Sequence, residues 1–268
     1  MLTINIEKVT SIIIEAAELE ILPRFRKLGM DERWQKDVGG LVTVADIESE
    51  KFLSRSLGDL LPGSRILGEE AAATQNEPYK CLAEEDPIWI VDPLDGTNNF
   101  ASGKNDFAVI VALSIGSKVR AGWIYAPAHS LLAVAEEGSG SWENKSRLNV
   151  SSVKNINDFR GSLGKRFRDF SGIEDRFARL SNARCCGMEY LDLARGQLDF
   201  AHFRRLKPWD HAAGDLIVRE AGGIAKCIDG TEYYPGSSPD RGLLLACNQF
   251  CWNSVQEIIE PVFATLPN

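Results

Sequence analysis

The 268-residue sequence has no C-x-x-C pair, no excess of basic residues, only three histidines and no apolar run long enough to cross a bilayer. Each shortage removes a class of protein. The longest apolar run near the start, "SIIIEAAELEIL", is interrupted by glutamates and falls short of the ~20 residues a membrane helix needs. It also lacks the basic flank and small-residue cleavage site of an export signal, so the expected location is the cytoplasm. The six cysteines, at positions 81, 185, 186, 227, 247 and 251, are then expected to be buried free thiols, and the sequons at Asn144 and Asn149 carry no meaning there. With 30 Lys and Arg against 38 Asp and Glu, the net charge is −8. This balance disfavours direct binding of nucleic acid through a broad basic face, and it repels acidic substrates unless a cation intervenes.

What is present is an ordinary globular composition, 44% hydrophobic and 25% charged, long enough to bury a sizeable core. Apolar positions at helical spacing predict one long helix over residues 3–28, bent or interrupted near Pro23. "VADIESEKFLSRSLGDLLPG" predicts a second, stopped by Pro62 and Gly63. The period then changes. "RILGEE", "PIWIVDPL", "FAVIVALSIG", "VRAGWIYAPA" and "SLLAVAEEG" are short β-branched or aromatic runs broken by Gly, Pro, Asn and Ser, the pattern of a mostly antiparallel sheet. Helices followed by a meander make an α+β order. Near residues 143–160 the composition turns polar, after which strand and helix patterns alternate. The expected organisation is an α+β lobe over 1–145 and an α/β lobe over 146–268, joined in one compact unit.

Four stretches carry candidate chemistry. In "WIVDPLDGTNNF", Pro93 ends the ladder of a buried strand, so Asp92 and Asp95 emerge close together at its C-terminal end. Two neighbouring carboxylates repel, a cost that a divalent cation removes, and hard oxygen ligands suit Mg²⁺. The Gly96 and Thr97 N–H groups, at what reads as a helix start, offer a seat for phosphate. A plain Asp-Gly turn is the alternative for this stretch alone. "LGEE" closes another strand on Glu69 and Glu70, which alone read as solvated charges. In "KPWDHAAGDLIVREAGG", Asp210 precedes a helix of small residues that ends at Gly222 and Gly223, and in "LVTVAD" Asp46 stands at a helix start. Capping explains either aspartate taken singly. The histidines at 129, 202 and 211 show no ligand spacing, and His211 reads as structural rather than as a ligand for a hard cation.

Taken together and in order, "LVTVAD", "GEE", "DPLDGTNNF" and "WDHAAG…EAGG" resemble the inositol monophosphatase family of metal-dependent, lithium-sensitive sugar phosphatases, over about residues 36–223. The resemblance implies a layered αβαβα sandwich of the sugar phosphatase type, usually dimeric. It implies two or three Mg²⁺ ions held by Glu69, Asp92, Asp95, Asp210 and the Leu94 carbonyl, with Asp46 assisting a weaker ion through water. Gly96 and Thr97 would grip the phosphate, Asp210 would face the substrate, and Glu69 and Thr97 would position a metal-activated water for in-line attack on phosphorus. Lys36 would offset the local negative charge or sit on the surface.

The sequence departs from the family pattern in three places. Phe203 stands where a glutamate usually grips sugar hydroxyls, with Arg204 and Arg205 beside it. In "CCGMEYLDLARGQ", Glu189 fills a position that is normally small, where it could replace the lost carboxylate. Gly40 replaces the aspartate usual before "LVT". The implied activity is hydrolysis of inositol monophosphates or related small sugar phosphates. The alternatives are a histidinol-phosphate phosphatase, a 3'(2'),5'-bisphosphate nucleotidase, or a regulatory protein contacting RNA polymerase, since "LKPWD" most resembles the bacterial extragenic-suppressor branch.

Overall fold

A computed structural model describes residues 4–36, 40–73, 75, 79–170, 172–237 and 242–265. Residue 3, where the first helix is expected to begin, lies outside them. Helix α1 spans Ile6–Ala16, and the chain then widens into a single π turn over Ala17–Ile21, in which the Leu22 N–H reaches the Ala17 carbonyl at 2.8 Å. The predicted break near Pro23 therefore falls a turn earlier. Pro23 has no N–H, and in a regular helix its ring would strike the carbonyl four residues back, so the widened turn relieves that clash in advance.

A short hairpin of β1 (Arg33–Lys36) and β2 (Gly40–Thr43) leads into α2 (Val44–Leu60). Next come β3 (Arg65–Gly68), the one-turn helix α3 (Glu69–Ala72), β4 (Ile88–Asp95) and α4 (Thr97–Ala101). Strands β5 (Ala108–Ile115), β6 (Lys118–Ala126), β7 (Leu131–Glu136), β8 (Gly140–Glu143) and β9 (Ser146–Arg147) follow. They complete a seven-stranded sheet ordered β3-β4-β5-β6-β7-β8-β9, in which only β3 and β4 are parallel.

The second half contains β10 (Arg160–Ser162), α5 (Lys165–Arg168), β11 (Arg179–Ser181), α6 (Cys186–Ala194) and β12 (Phe200–Phe203). It ends with α7 (Pro208–Glu220), β13 (Ile224–Cys227), β14 (Leu243–Ala246) and α8 (Gln249–Thr265). Its five strands form a sheet ordered β11-β10-β12-β14-β13.

Period-two side-chain alternation sets the layers. Trp89 and Val91 of β4 join Val109, Val111 and Trp123 under Val9, Ile13, Leu53 and Leu57 of α1 and α2. The opposite face, with Ile88, Ile90, Ile110 and Ile124, packs on Leu191, Ala212, Ala213 and Leu216 of α6 and α7. Those helices are covered in turn by Ala201, Leu243 and Leu245 of the second sheet. Its far face, with Phe200, Leu244 and Ala246, meets Val255 and Ile259 of α8. The result is the expected αβαβα sandwich.

Candidate active site

The parallel pairing of β3 with β4 builds the site. Gly68 lies beside Val91, so the next residues, Glu69 and Asp92, leave the two strands side by side. Period two also puts Asp92 on the same face as Ile88 and Ile90, toward α7. The register then slips between Asp92 and Asp95, a bulge at Pro93, which has no N–H for the ladder.

Glu69, which taken alone read as a solvated charge, opens α3. A carboxylate with no motif of its own holds this turn: Glu50 accepts the N–H groups of Glu70 and Ala71, each at 2.8 Å. A Cβ on Gly68 would stand 2.4 Å from the Glu50 carboxyl, so only glycine allows this approach. Burial pushes the Glu50 pKa up to about 7, against the lowering effect of those two N–H groups. The only trace of Glu50 in the sequence is its i,i+4 spacing from Asp46 on α2.

Lys36, at the end of β1, lies 3.0 Å from Glu69 Oε1 and 2.8 Å from Glu70 Oε1. Its side chain is only 11% exposed, which settles it as a buried countercharge rather than a surface lysine. Burial pulls its pKa down, but Glu69 and Glu70 outweigh this and raise it. Lys36 pairs with Gly40 in the antiparallel β1–β2 pair, and residues 37–39 lie outside the described residues.

At the end of β4, Asp92 Oδ1 accepts the Leu94 N–H at 3.0 Å. Asp95 Oδ2 accepts the Gly187 N–H at 2.6 Å and the Cys185 thiol at 3.0 Å, so the start of α6 is fastened to it. The Gly96 N–H also faces the Asp95 carboxyl. Gly96 sits at φ +85°, where a Cβ would come within 2.8 Å of the Asp106 carbonyl. Burial, opposed by these hydrogen bonds, leaves the Asp95 pKa at about 6.

The Thr97 hydroxyl lies 2.9 Å from Asp46 Oδ1 and 3.1 Å from the Leu94 carbonyl. Asp46 is indeed a capping residue. Its Oδ2 accepts from the Thr43 N–H at 2.8 Å and the Thr43 hydroxyl at 2.6 Å, while Oδ1 is turned toward Thr97. Burial pushes the Asp46 pKa up to about 7.

Asp210 does not precede its helix as expected. It lies inside the first turn of α7, which Pro208 opens, and Lys207 stands at the cap without a side-chain bond. Proline fits there because the first-turn N–H groups lack helical partners anyway. Helix α7 meets the sheet closely, since a Cβ on Gly122 of β6 would come within 2.9 Å of Ala213. Carboxylate oxygens of Glu69, Asp92 and Asp210 thus converge within 4.8 Å of one another. Asp95 falls outside that triad but acts on it: burial first, then the charges of Asp95 and Glu69, hold Asp210 well above the usual carboxylate range. Asp92 is raised for the same reasons, burial first and then Glu69, Asp95 and Asp210. Hard, mutually repelling oxygens gathered in a partly buried recess fit a divalent cation such as Mg²⁺, which bonds oxygens at about 2.0–2.1 Å.

The positions that depart from the family pattern are also placed. Phe203 is buried in β12 and stacks on Tyr190 at 5.1 Å. Glu189 is buried in the first turn of α6, and its Oε1 accepts the Ala183 N–H at 2.9 Å, which ties down the approach to that helix. Burial raises its pKa to about 7. Asn99, which no motif reading singled out, donates to the carbonyls of Asp106 and Ala183, each at 2.8 Å, and so joins the two halves of the site. Arg204 is half-buried and Arg205 exposed. The His211 ring is hydrogen-bonded at both nitrogens, to the Tyr190 hydroxyl at 3.0 Å and the Arg205 carbonyl at 2.7 Å. All six cysteines are free thiols, as expected, but only four are buried, Cys81 and Cys186 being half-buried.

An αβαβα sandwich that gathers acidic side chains at the ends of one parallel strand pair has the architecture of the sugar phosphatases. The chain belongs to the inositol monophosphatase family, whose sequence profile matches residues 5–260. It is 34% identical over 197 residues to a Thermotoga maritima protein named fructose-1,6-bisphosphatase/inositol-1-monophosphatase, covering 72% of this chain and 73% of that one. It is 33% identical over 213 residues to the Haemophilus influenzae Nus factor SuhB, covering 76% and 78%. A solved Thermotoga maritima IMPase superposes with a TM-score of 0.82 at 25% identity, covering 95% of this chain and 96% of that one.

Proposed function

We propose that the protein is a Mg²⁺-dependent, lithium-sensitive phosphomonoesterase of inositol monophosphates or related small sugar phosphates. The convergence of Glu69, Asp92 and Asp210 from three separate segments within 4.8 Å carries this reading. These three, with Asp95 and the Leu94 carbonyl, would hold the ions. Bound Mg²⁺ supplies charge that neutralises the phosphate and the leaving alkoxide and lowers the pKa of water.

The rest of the chemistry falls to the chain, as positioning and proton handling. The Thr97 N–H would stand at the phosphate, whereas the Gly96 N–H expected beside it faces the Asp95 carboxyl instead. With its proton directed at Asp46 Oδ1, the Thr97 hydroxyl presents lone pairs that orient a water for in-line attack. Glu69 accepts the proton of that water, and Lys36 limits the carboxylate repulsion around it. Phe203, buried against Tyr190, supplies no carboxylate for sugar hydroxyls, which keeps histidinol phosphate and 3'(2'),5'-bisphosphate nucleotides in the substrate panel. The protein is proposed to act as a cytoplasmic homodimer.

The test is phosphate release from each of these substrates with Mg²⁺, with chelator and with added Li⁺. Mg²⁺-dependent release from inositol monophosphate, suppressed by Li⁺, is expected. Release from nucleotide bisphosphate alone would change the substrate, and no Mg²⁺-dependent release at all would sink the reading. The relatives named Nus factor favour a second role, through protein contacts with the transcription machinery. Asp95→Asn separates the two: a regulatory effect that survives the loss of hydrolysis belongs to a scaffold.

A further inference from the structure

A second group of metal-binding atoms borders the carboxylates and differs from them in chemistry. Cys186 opens α6, Asp210 and His211 lie in the first turn of α7, and one ligand atom from each falls within 4.8 Å of the others. Mg²⁺ requires hard oxygens, whereas a thiolate, an imidazole nitrogen and a carboxylate are the donors that Zn²⁺ selects.

The His211 ring is already oriented for such a role. Its Nε2 lies 2.7 Å from the Arg205 carbonyl, which can only accept, so Nε2 carries the proton. Nδ1 therefore keeps its lone pair, which now accepts the Tyr190 hydroxyl at 3.0 Å. A ring N–H donated to a backbone carbonyl is the usual support of a metal-ligating histidine. Tetrahedral bonds of about 2.0–2.3 Å put ligand atoms about 3.5 Å apart, so the group needs to close by about 1.3 Å at most.

We propose that Cys186, Asp210 and His211 form a Zn²⁺ site that shares Asp210 with the hard-cation cluster, so that the two metals compete for it. On binding, the Cys186 thiol releases its proton to solvent as the sulfur–zinc bond forms. Tyr190 gives up its hydrogen bond to Nδ1, and a water completes the four ligands. This makes Cys186, which no family motif assigns, the residue through which a thiophilic metal reaches the site.

Direct binding tests this whether or not the protein hydrolyses any phosphate. Cd²⁺, a spectroscopic stand-in for Zn²⁺, is titrated into the full-length metal-free protein. A sulfur-to-cadmium absorption band is expected, with a cadmium NMR resonance in the range of mixed sulfur, nitrogen and oxygen ligands. Cys186→Ser should abolish the band and weaken Cd²⁺ binding by at least the roughly 10- to 100-fold that loss of a supporting group costs. Cys81→Ser should keep the band. Mg²⁺ should raise the apparent Kd for Cd²⁺. A band that survives Cys186→Ser, or an all-oxygen resonance in the unmutated protein, would overturn the site. Cd²⁺ binding indifferent to Mg²⁺ would overturn the sharing of Asp210.

Discussion

Asp46 uses one oxygen to cap α2 and turns the other to the Thr97 hydroxyl, so a helix start and a proposed catalytic hydroxyl hang on one buried carboxylate. Thr97→Val keeps the shape of the side chain but removes the atom proposed to orient water. Positioned proton-handling groups contribute about 10²–10⁴-fold. A fall in kcat of that order is expected, with KM little changed and most of the rate restored by Thr97→Ser, all read from initial rates at saturating Mg²⁺. Glu50 works differently, since it touches only backbone near the site. Glu50→Ala leaves the N–H groups of Glu70 and Ala71 without their acceptor, a loss of about 1–3 kcal/mol. Urea unfolding should show that loss, and the Mg²⁺ concentration for half-maximal activity should rise because Glu69 stands on the same turn.

At the level of elements, legibility followed burial. Strands β4, β5 and β6 were readable because their inward residues form continuous apolar runs, and "DPLDGTNNF" and "WDHAAG" were readable because their spacing is specific. The β8–β9 hairpin was not. It lies at a sheet edge, Trp142 is 41% exposed, and its turn uses Asn144 and Lys145 at φ +46° and +72°, so neither apolar alternation nor glycine marks it. Glu50 escaped because its role depends on a contact across twenty residues that no local pattern encodes. The packing of α6 on α7 was half legible, as a string of small residues without a partner. Its partner is the Tyr190 ring, which a Cβ on Gly214 would approach to 2.3 Å. Gly214→Ala should therefore cost about 1–3 kcal/mol by overpacking and, by displacing the helix that carries Asp210, weaken Mg²⁺ activation. Gly222→Ala is the contrast. It has open space around it but φ +91°, so about 1–2 kcal/mol of strain should appear in unfolding while the Mg²⁺ dependence stays unchanged.

Over the whole molecule, the buried carboxyls make stability, protons and metal one coupled problem. Burial raises Asp46 and Glu50 to about 7 and Asp95 to about 6, and raises Asp92 and Asp210 as well. A carboxyl whose folded pKa exceeds its unfolded value binds more protons in the native state, so its contribution is full below the unfolded pKa and is lost as pH rises through the folded one. The metal-free protein should accordingly be most stable near about pH 4 and lose stability between about pH 4 and 8, the reverse of ordinary acid denaturation. A divalent cation takes the place of the protons, so Mg²⁺ should raise the unfolding temperature strongly at about pH 8 and little at about pH 5. Glu189 and Asp215, raised by burial to about 7 and about 6, lie outside the converging triad and should leave a residual slope even with Mg²⁺ present. Thermal unfolding across pH, with and without Mg²⁺, reads these effects together. Asp92→Asn, which removes one repelling charge and one oxygen ligand, should flatten the metal-free profile and shrink the Mg²⁺ response at about pH 8. A Mg²⁺ shift of equal size in the variant would mean that the cation binds elsewhere.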